Sequence, residues 1–250
     1  MPVKLSWLVL GTLALAAIVA AWLLTRPTTL PDFAAIEDVN ERKSAFFSYL
    51  APLVEAENAR VTEQRKRLLE VADDLDERES LGWLQQRWLQ RLAKAYEVEG
   101  ENELSSQIET LKRRVDTVPT PLVLVQAAKE SGWGRSRYAI QGNNLFGQWC
   151  YESGCGIVPK RRTAGAFHEV ARFDSPADAV ASYLRNLNTH AAYLPLRTLR
   201  AAIRERGSRP GALELADGLL LYSERRGEYV SEVKSMIRAN RELMAESRTN

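Results

Sequence analysis

The sequence predicts a mainly helical protein of the α+β class, on three observations. Apolar residues recur at helical intervals over long stretches on both sides of the middle. A glycine-bearing segment at 150–175 interrupts them and suits a small β-hairpin lobe. An uncharged run at the N-terminus stands apart from both.

The 250 residues allow one good domain with an appendage, or two small ones. Apolar residues make up 45% and charged residues 26%, as in ordinary globular chains. Thirty-four basic against 32 acidic side chains leave a formal charge of +2, which demands no nucleic-acid partner. Two histidines and two cysteines argue against a zinc site.

Residues 5–24, "LSWLVLGTLALAAIVAAWLL", contain no charge and match a hydrocarbon core of roughly 30 Å. Residues 1–26 are therefore expected to form a signal anchor or transmembrane helix, a cleaved signal peptide being the alternative. Lys4 precedes the run, so the positive-inside rule leaves the N-terminus in the cytoplasm and exports the rest. Cys150 and Cys155 then meet an oxidising compartment and are expected to pair.

Residues 27–35 contain two prolines and read as a spacer. Residues 36–116 read as a helical extension, with Phe46, Leu50, Leu53 and Val54, then Leu68, Leu69, Ala72 and Leu75, then Leu81, Leu84, Trp88, Leu92 and Tyr96. Pro52 is expected to kink or start a helix. From 117 to 250 a second unit begins. Thr117 or Thr120 is the expected cap of a helix whose residues Leu122 to Val125, Ala127 and Ala128 are apolar all round, as a central core helix requires. "FHEVARF" suits a strand, Ser175 caps the next helix, and "YVSEVKSMIRANRELM" closes the chain as a helix.

The chemistry concentrates in "VLVQAAKESGWGRSRYAIQGNNLFGQW", residues 123–149. Glu130 ends the apolar helix, where low polarity and the helix's partial negative end both disfavour ionisation. A carboxyl kept protonated in this way is suited to give its proton to a leaving oxygen. Trp133, Tyr138, Phe146 and Trp149 add flat apolar faces, and Asn143, Asn144 and Gln148 add amides, a combination that fits sugar rings. The competing reading makes Glu130 a helix-end residue and the aromatics core.

This run resembles the signature of the bacterial glucosaminidases, glycoside hydrolase family 73, whose fold is similar to lysozyme. "ERKSAFFSYLAPLVEAEN", "CGIVPKRR", "SYLRNLNTH" and "YSERRGEYVSEV" resemble its Bax-type branch, so the likeness covers most of the chain from about residue 40. The resemblance implies a peptidoglycan hydrolase, an endo-β-N-acetylglucosaminidase with Glu130 as general acid and no metal or organic cofactor. It implies a second carboxylate in the hairpin lobe, with Glu169 the first choice and Glu152 the second. A mechanism in which the substrate's acetamido group attacks needs neither. Asn143, Asn144, Phe146 and Gln148 would build the groove with Trp133 and Tyr222, and Tyr193 would orient sugar or water. Tyr229 is the lesser groove candidate, and His168 and His190 are read as structural.

The implied partners are glycan strands and, through the N-terminal helix, the inner membrane, with the catalytic part in the periplasm. Two rivals stay open: a lytic transglycosylase or muramidase acting on the other glycosidic bond, and a noncatalytic peptidoglycan-binding protein.

Overall fold

The computed structural model describes residues 28–98, 100, 103–160, 162, 165–222 and 225–247. The membrane helix expected within 1–26 lies outside the described residues. Among those described, no helix is long and apolar enough to cross a membrane.

The fold is mainly helical with one small antiparallel sheet. Helix α1, Val39–Arg78, runs for 40 residues from an Asp38 cap whose side chain accepts the Glu41 amide N–H at 2.8 Å. The helix continues through Pro52, so this residue does not start one as the sequence allowed. Pro52 is exposed, while its neighbours Leu50, Ala51 and Val54 are fully packed, so burial on the opposite face offsets the one missing backbone bond.

Two apolar cores share α1. Its first turns supply Phe46, Phe47, Leu50, Ala51 and Val54 to the main core. Farther along, Val61, Leu68, Val71 and Ala72 pack with Leu89 and Leu92 of α2, Trp83–Ala95, and Ile108 and Leu111 of α3, Leu104–Arg114. The arm formed by α1 to α3 is thus continuous with the rest of the molecule rather than appended to it.

Helix α4, Thr120–Ser131, lies in the main core with Leu122 to Ala128 buried on every side. Its N-cap is Pro119, with no side-chain capping bond, in place of the expected threonine. Thr120 instead opens the helix with Pro121 behind it, a position where a missing N–H costs nothing. A short helix α5, Arg137–Gly142, follows.

Strands β1 (Trp149–Cys150), β2 (Gly156–Ile157) and β3 (Glu169–Ala171) form an antiparallel sheet in the order β1-β3-β2, one strand more than a hairpin. Cys150 and Cys155 are disulfide-bonded across the β1–β2 turn, with 6.2 Å between their Cα atoms. Gly156 is required there: a Cβ would stand 2.1 Å from the Val170 carbonyl oxygen. Helices α6 (Pro176–Thr189, capped by Ser175), α7 (Leu194–Glu205), α8 (Ala212–Leu215), α9 (Gly227–Ala239) and α10 (Arg241–Glu246) complete the wall around α4.

The arm meets the main body at Asp116, which is 2% exposed. Arg204 of α7 grips its carboxylate with two hydrogen bonds of 2.7 and 2.6 Å. Arg65 of α1 and Arg200 of α7 stand 3.8 and 3.6 Å away and spend their other donors on backbone carbonyls between Lys112 and Thr117. Burial works against ionisation of Asp116, but the Arg204 bonds and the three guanidinium charges outweigh it and hold the carboxyl below its ordinary value.

Candidate active site

The local turn after α4 explains where Glu130 points. Ser131 donates to the Ala127 carbonyl at 2.6 Å and accepts the Gly134 N–H at 2.8 Å, while Gly132 takes the left-handed conformation that ends the helix. Glu130 is thereby delivered into a cleft of about 660 Å³ between the helical body and the sheet.

The cleft is lined by Glu130, Phe146, Gln148, Tyr183, Tyr193 and Tyr222, with Tyr138, Trp149 and Tyr151 along the sheet side and Asn186 and His190 opposite. Trp149 and Tyr151 are exposed; His168 stacks on one face of the Trp149 ring at 4.1 Å. Among the described lining residues Glu130 is the one acid.

Burial raises the Glu130 pKa above its ordinary value, opposed by a hydrogen bond from Tyr229 and the charge of Lys129. The Tyr229 hydroxyl donates to Glu130 Oε1 at 3.1 Å and itself accepts from Gln126 Nε2 at 3.2 Å. Lys129 is ion-paired with Glu232 and lies over the Tyr229 ring, 5.5 Å from its centroid. The Tyr222 ring stacks on Tyr229 at 4.8 Å, and its hydroxyl donates to the Phe146 carbonyl at 3.3 Å. Tyr193 is raised by burial, against a hydrogen bond with Asn186.

The residues expected to contact sugar divide into two groups. Phe146, Gln148, Tyr193 and Tyr222 line the cleft with Glu130. Asn143, Asn144 and Trp133 stand behind it. Asn144 donates to the carbonyls of Gln148 and Ala171 at 2.8 Å each and accepts the N–H groups of Phe146 and Gln148, so its carboxamide shapes the loop between α5 and β1. Asn143 donates to the Thr28 and Phe173 carbonyls. Trp133 packs its ring edge-on to Phe46 and Phe47 at 5.8 and 5.3 Å.

Glu169 and Glu152 do not line the cleft. The Glu169 carboxylate accepts the N–H groups of Gly154 and Gly156 at 3.1 and 2.8 Å, and these two bonds lower its pKa. Glu152 lies exposed in the disulfide loop, one residue after Tyr151. A depressed carboxylate stabilises the fold above its unfolded pKa, and that contribution is lost as pH falls through the folded value. Glu169→Gln keeps one acceptor oxygen for two donors. It is expected to melt below the native protein near pH 7, with the gap closing in thermal melts as pH falls through the lowered Glu169 value.

Sequence reasoning ranked Tyr229 below Tyr222 and passed over Tyr183, Tyr151 and Asn186. A signal existed on α6: Tyr183 and Asn186, with His190 just past its end, fall three and four residues apart on one face.

Comparison with known proteins identifies the family. The glucosaminidase family model, described as mannosyl-glycoprotein endo-beta-N-acetylglucosaminidase, matches residues 105–242. "Protein bax" of Escherichia coli (strain K12) is 31% identical over 228 residues, covering 88% of this chain and 77% of that protein. No solved structure matches. A family match over more than half the chain, together with that relative, places the chain in the glucosaminidase family, glycoside hydrolase family 73, as a Bax-type member.

Proposed function

We propose that the protein is a peptidoglycan hydrolase, an endo-β-N-acetylglucosaminidase that cuts the β-1,4 bond after N-acetylglucosamine. The observation that supports this is Glu130: a half-buried carboxyl with a raised pKa, held by Tyr229 at the base of an aromatic cleft. Such a group is protonated where an ordinary glutamate is not, and protonating the leaving glycosidic oxygen is general acid catalysis.

The attacking group is then the substrate's own 2-acetamido oxygen. As it bonds to the anomeric carbon, the glycosidic C–O bond breaks and Glu130 gives its proton to the departing oxygen. Water next opens the cyclic intermediate, returning its proton to Glu130. Glu169, tied to two backbone amides, is assigned the shape of the disulfide loop rather than the chemistry.

Products observed by proton NMR in the first minutes of digestion are expected to be the retained β-anomer. A fresh α-anomer would replace the acetamido with a water activated by a base. Mass spectrometry of digested sacculi tests the bond itself: a reducing N-acetylglucosamine end is expected. An anhydro end would favour a lytic transglycosylase, and a reducing N-acetylmuramic acid end a muramidase.

We place the cleft in the periplasm, with residues 1–26 anchoring it in the inner membrane. The uncharged run at 5–24 and the Cys150–Cys155 disulfide, at home in an oxidising compartment, support that placement.

A further inference from the structure

Gln126 is fully buried one helical turn before Glu130, on the same face of α4. Its Nε2 donates to the Tyr229 hydroxyl at 3.2 Å, and that hydroxyl donates to Glu130 Oε1 at 3.1 Å. A glutamine Nε2 can only donate, so the phenol oxygen is held as an acceptor on that side and its single proton is turned to the acid. Tyr229 is 3% exposed and does not line the cleft, so this chain of bonds reaches Glu130 from the core side. Burial keeps the phenol protonated far above its ordinary range.

This orientation of the Gln126 amide leaves its carbonyl unsatisfied: Oε1 is buried with no hydrogen-bond partner among the described residues. Half a turn of the amide would pair that oxygen with the Tyr229 proton and withdraw the proton from Glu130. A buried acceptor without a partner is destabilising and calls for an explanation. The chemistry of the acid supplies one. A carboxylic acid carries its proton on one of its two oxygens, and the protonated oxygen is the weaker acceptor. With Oε1 accepting from Tyr229, the acid proton is left to Oε2, which has no hydrogen bond from the described residues.

Resting on the hydrolase reading above, we propose that Gln126 is a positioning residue for the catalytic proton: acting through Tyr229, it keeps Glu130 Oε1 occupied and so places the transferable proton on Oε2, for the leaving oxygen. Without Gln126 the Tyr229 hydroxyl can rotate and accept from Oε1 of the protonated acid. The proton is then turned toward the core instead of toward the bond to be broken.

The test places Gln126→Met, close in volume and without a donor, in the native chain and in Tyr229→Phe. Two readouts are taken on the full chain: turnover on purified sacculi against pH, and titration of the Glu130 carboxyl by carbon NMR, assigned by its disappearance in Glu130→Gln. In the native background Gln126→Met is expected to lower plateau turnover about tenfold and leave apparent KM within about twofold. It should also move the alkaline limb and the carboxyl midpoint upward, because the Tyr229 bond that favours the ionised form is weakened. A merely structural loss would lower turnover without that upward movement. The other titratable groups around Glu130 are Lys129, ion-paired with Glu232, and the phenols of Tyr183, Tyr193 and Tyr222, which burial moves up and away from the range of the acid. On top of Tyr229→Phe, Gln126→Met is expected to add less than about a twofold loss and no movement of the midpoint, since the chain of bonds is already broken. An unchanged midpoint in Gln126→Met, or equal losses in the two backgrounds, would overturn the proposal. Failure of the hydrolase reading looks different: native protein releases nothing from sacculi, while the midpoint still rises in Gln126→Met and only where Tyr229 is present.

Discussion

Glu130→Gln is expected to abolish measurable fragment release, with a fall in turnover of about 10²–10⁴-fold or more, while the fold survives. The glutamine keeps an oxygen to accept the Tyr229 hydroxyl and nearly the same volume, so the cleft has no reason to change shape. What disappears is the proton. Native activity should also decline as pH rises through the raised Glu130 pKa, because only the protonated form can donate.

The same substitution should move stability in the opposite direction. A carboxyl whose folded pKa is raised contributes stability that is fully present below its unfolded pKa and lost as pH climbs through the folded value. Above the raised folded pKa the native protein holds an under-solvated carboxylate that Glu130→Gln removes. The variant should melt above the native protein near pH 8 and alongside it near pH 4. Turnover on purified sacculi and thermal melts at the two pH values check both halves. If native protein releases no more than the variant, the noncatalytic binding reading prevails.

The largest expected loss of stability comes from Asp116→Ala. Removing one partner from a buried charge network leaves the others unpaired, and such losses run to about 3–5 kcal/mol. Arg200, 1% exposed, would then keep only backbone carbonyls as partners, and Arg204 and Arg65 would lose their shared anion. Burial already lowers the Arg200 pKa to about 10, so this guanidinium is the most exposed to the change in its surroundings. For a chain of this size the drop in melting temperature should be about 6–20 °C. Arg204→Ala, at a partly exposed site with Arg65 and Arg200 still beside Asp116, should cost less. Calorimetric melts of the two variants beside the native protein give the comparison. Native protein should lose the same contribution in acid, as pH falls through the lowered value of the Asp116 carboxyl.

The helices and the acid were legible in the sequence because both follow from local pattern. Apolar residues on every face of 122–128 place α4 in the core, and a glutamate at the end of such a helix is desolvated by the packing that buries the helix. Pro52 does not start a helix because its local preference competes with nonlocal burial, and Leu50 and Val54 settle that competition in favour of continuing the helix. The asparagines illustrate a different gap. Their amides suit a sugar as well as they suit a backbone, and only folding shows that Asn144 is used up by Phe146, Gln148 and Ala171. The same holds for Tyr183 and Tyr229, which approach Glu130 from α6 and α9 and have no sequence neighbour to announce the meeting.

Helix α1 has a practical consequence for anyone excising the catalytic part. The stretch matched by the family model begins at residue 105, but Phe46 and Phe47 brace Trp133, three positions after the acid. A fragment cut at the apparent boundary would leave α4 with a bare wall where Leu50, Ala51 and Val54 had stood. The smallest piece able to hold Glu130 in register therefore starts before residue 39 and retains the whole arm. For this chain the minimal gene fragment is longer than the stretch the family model matches.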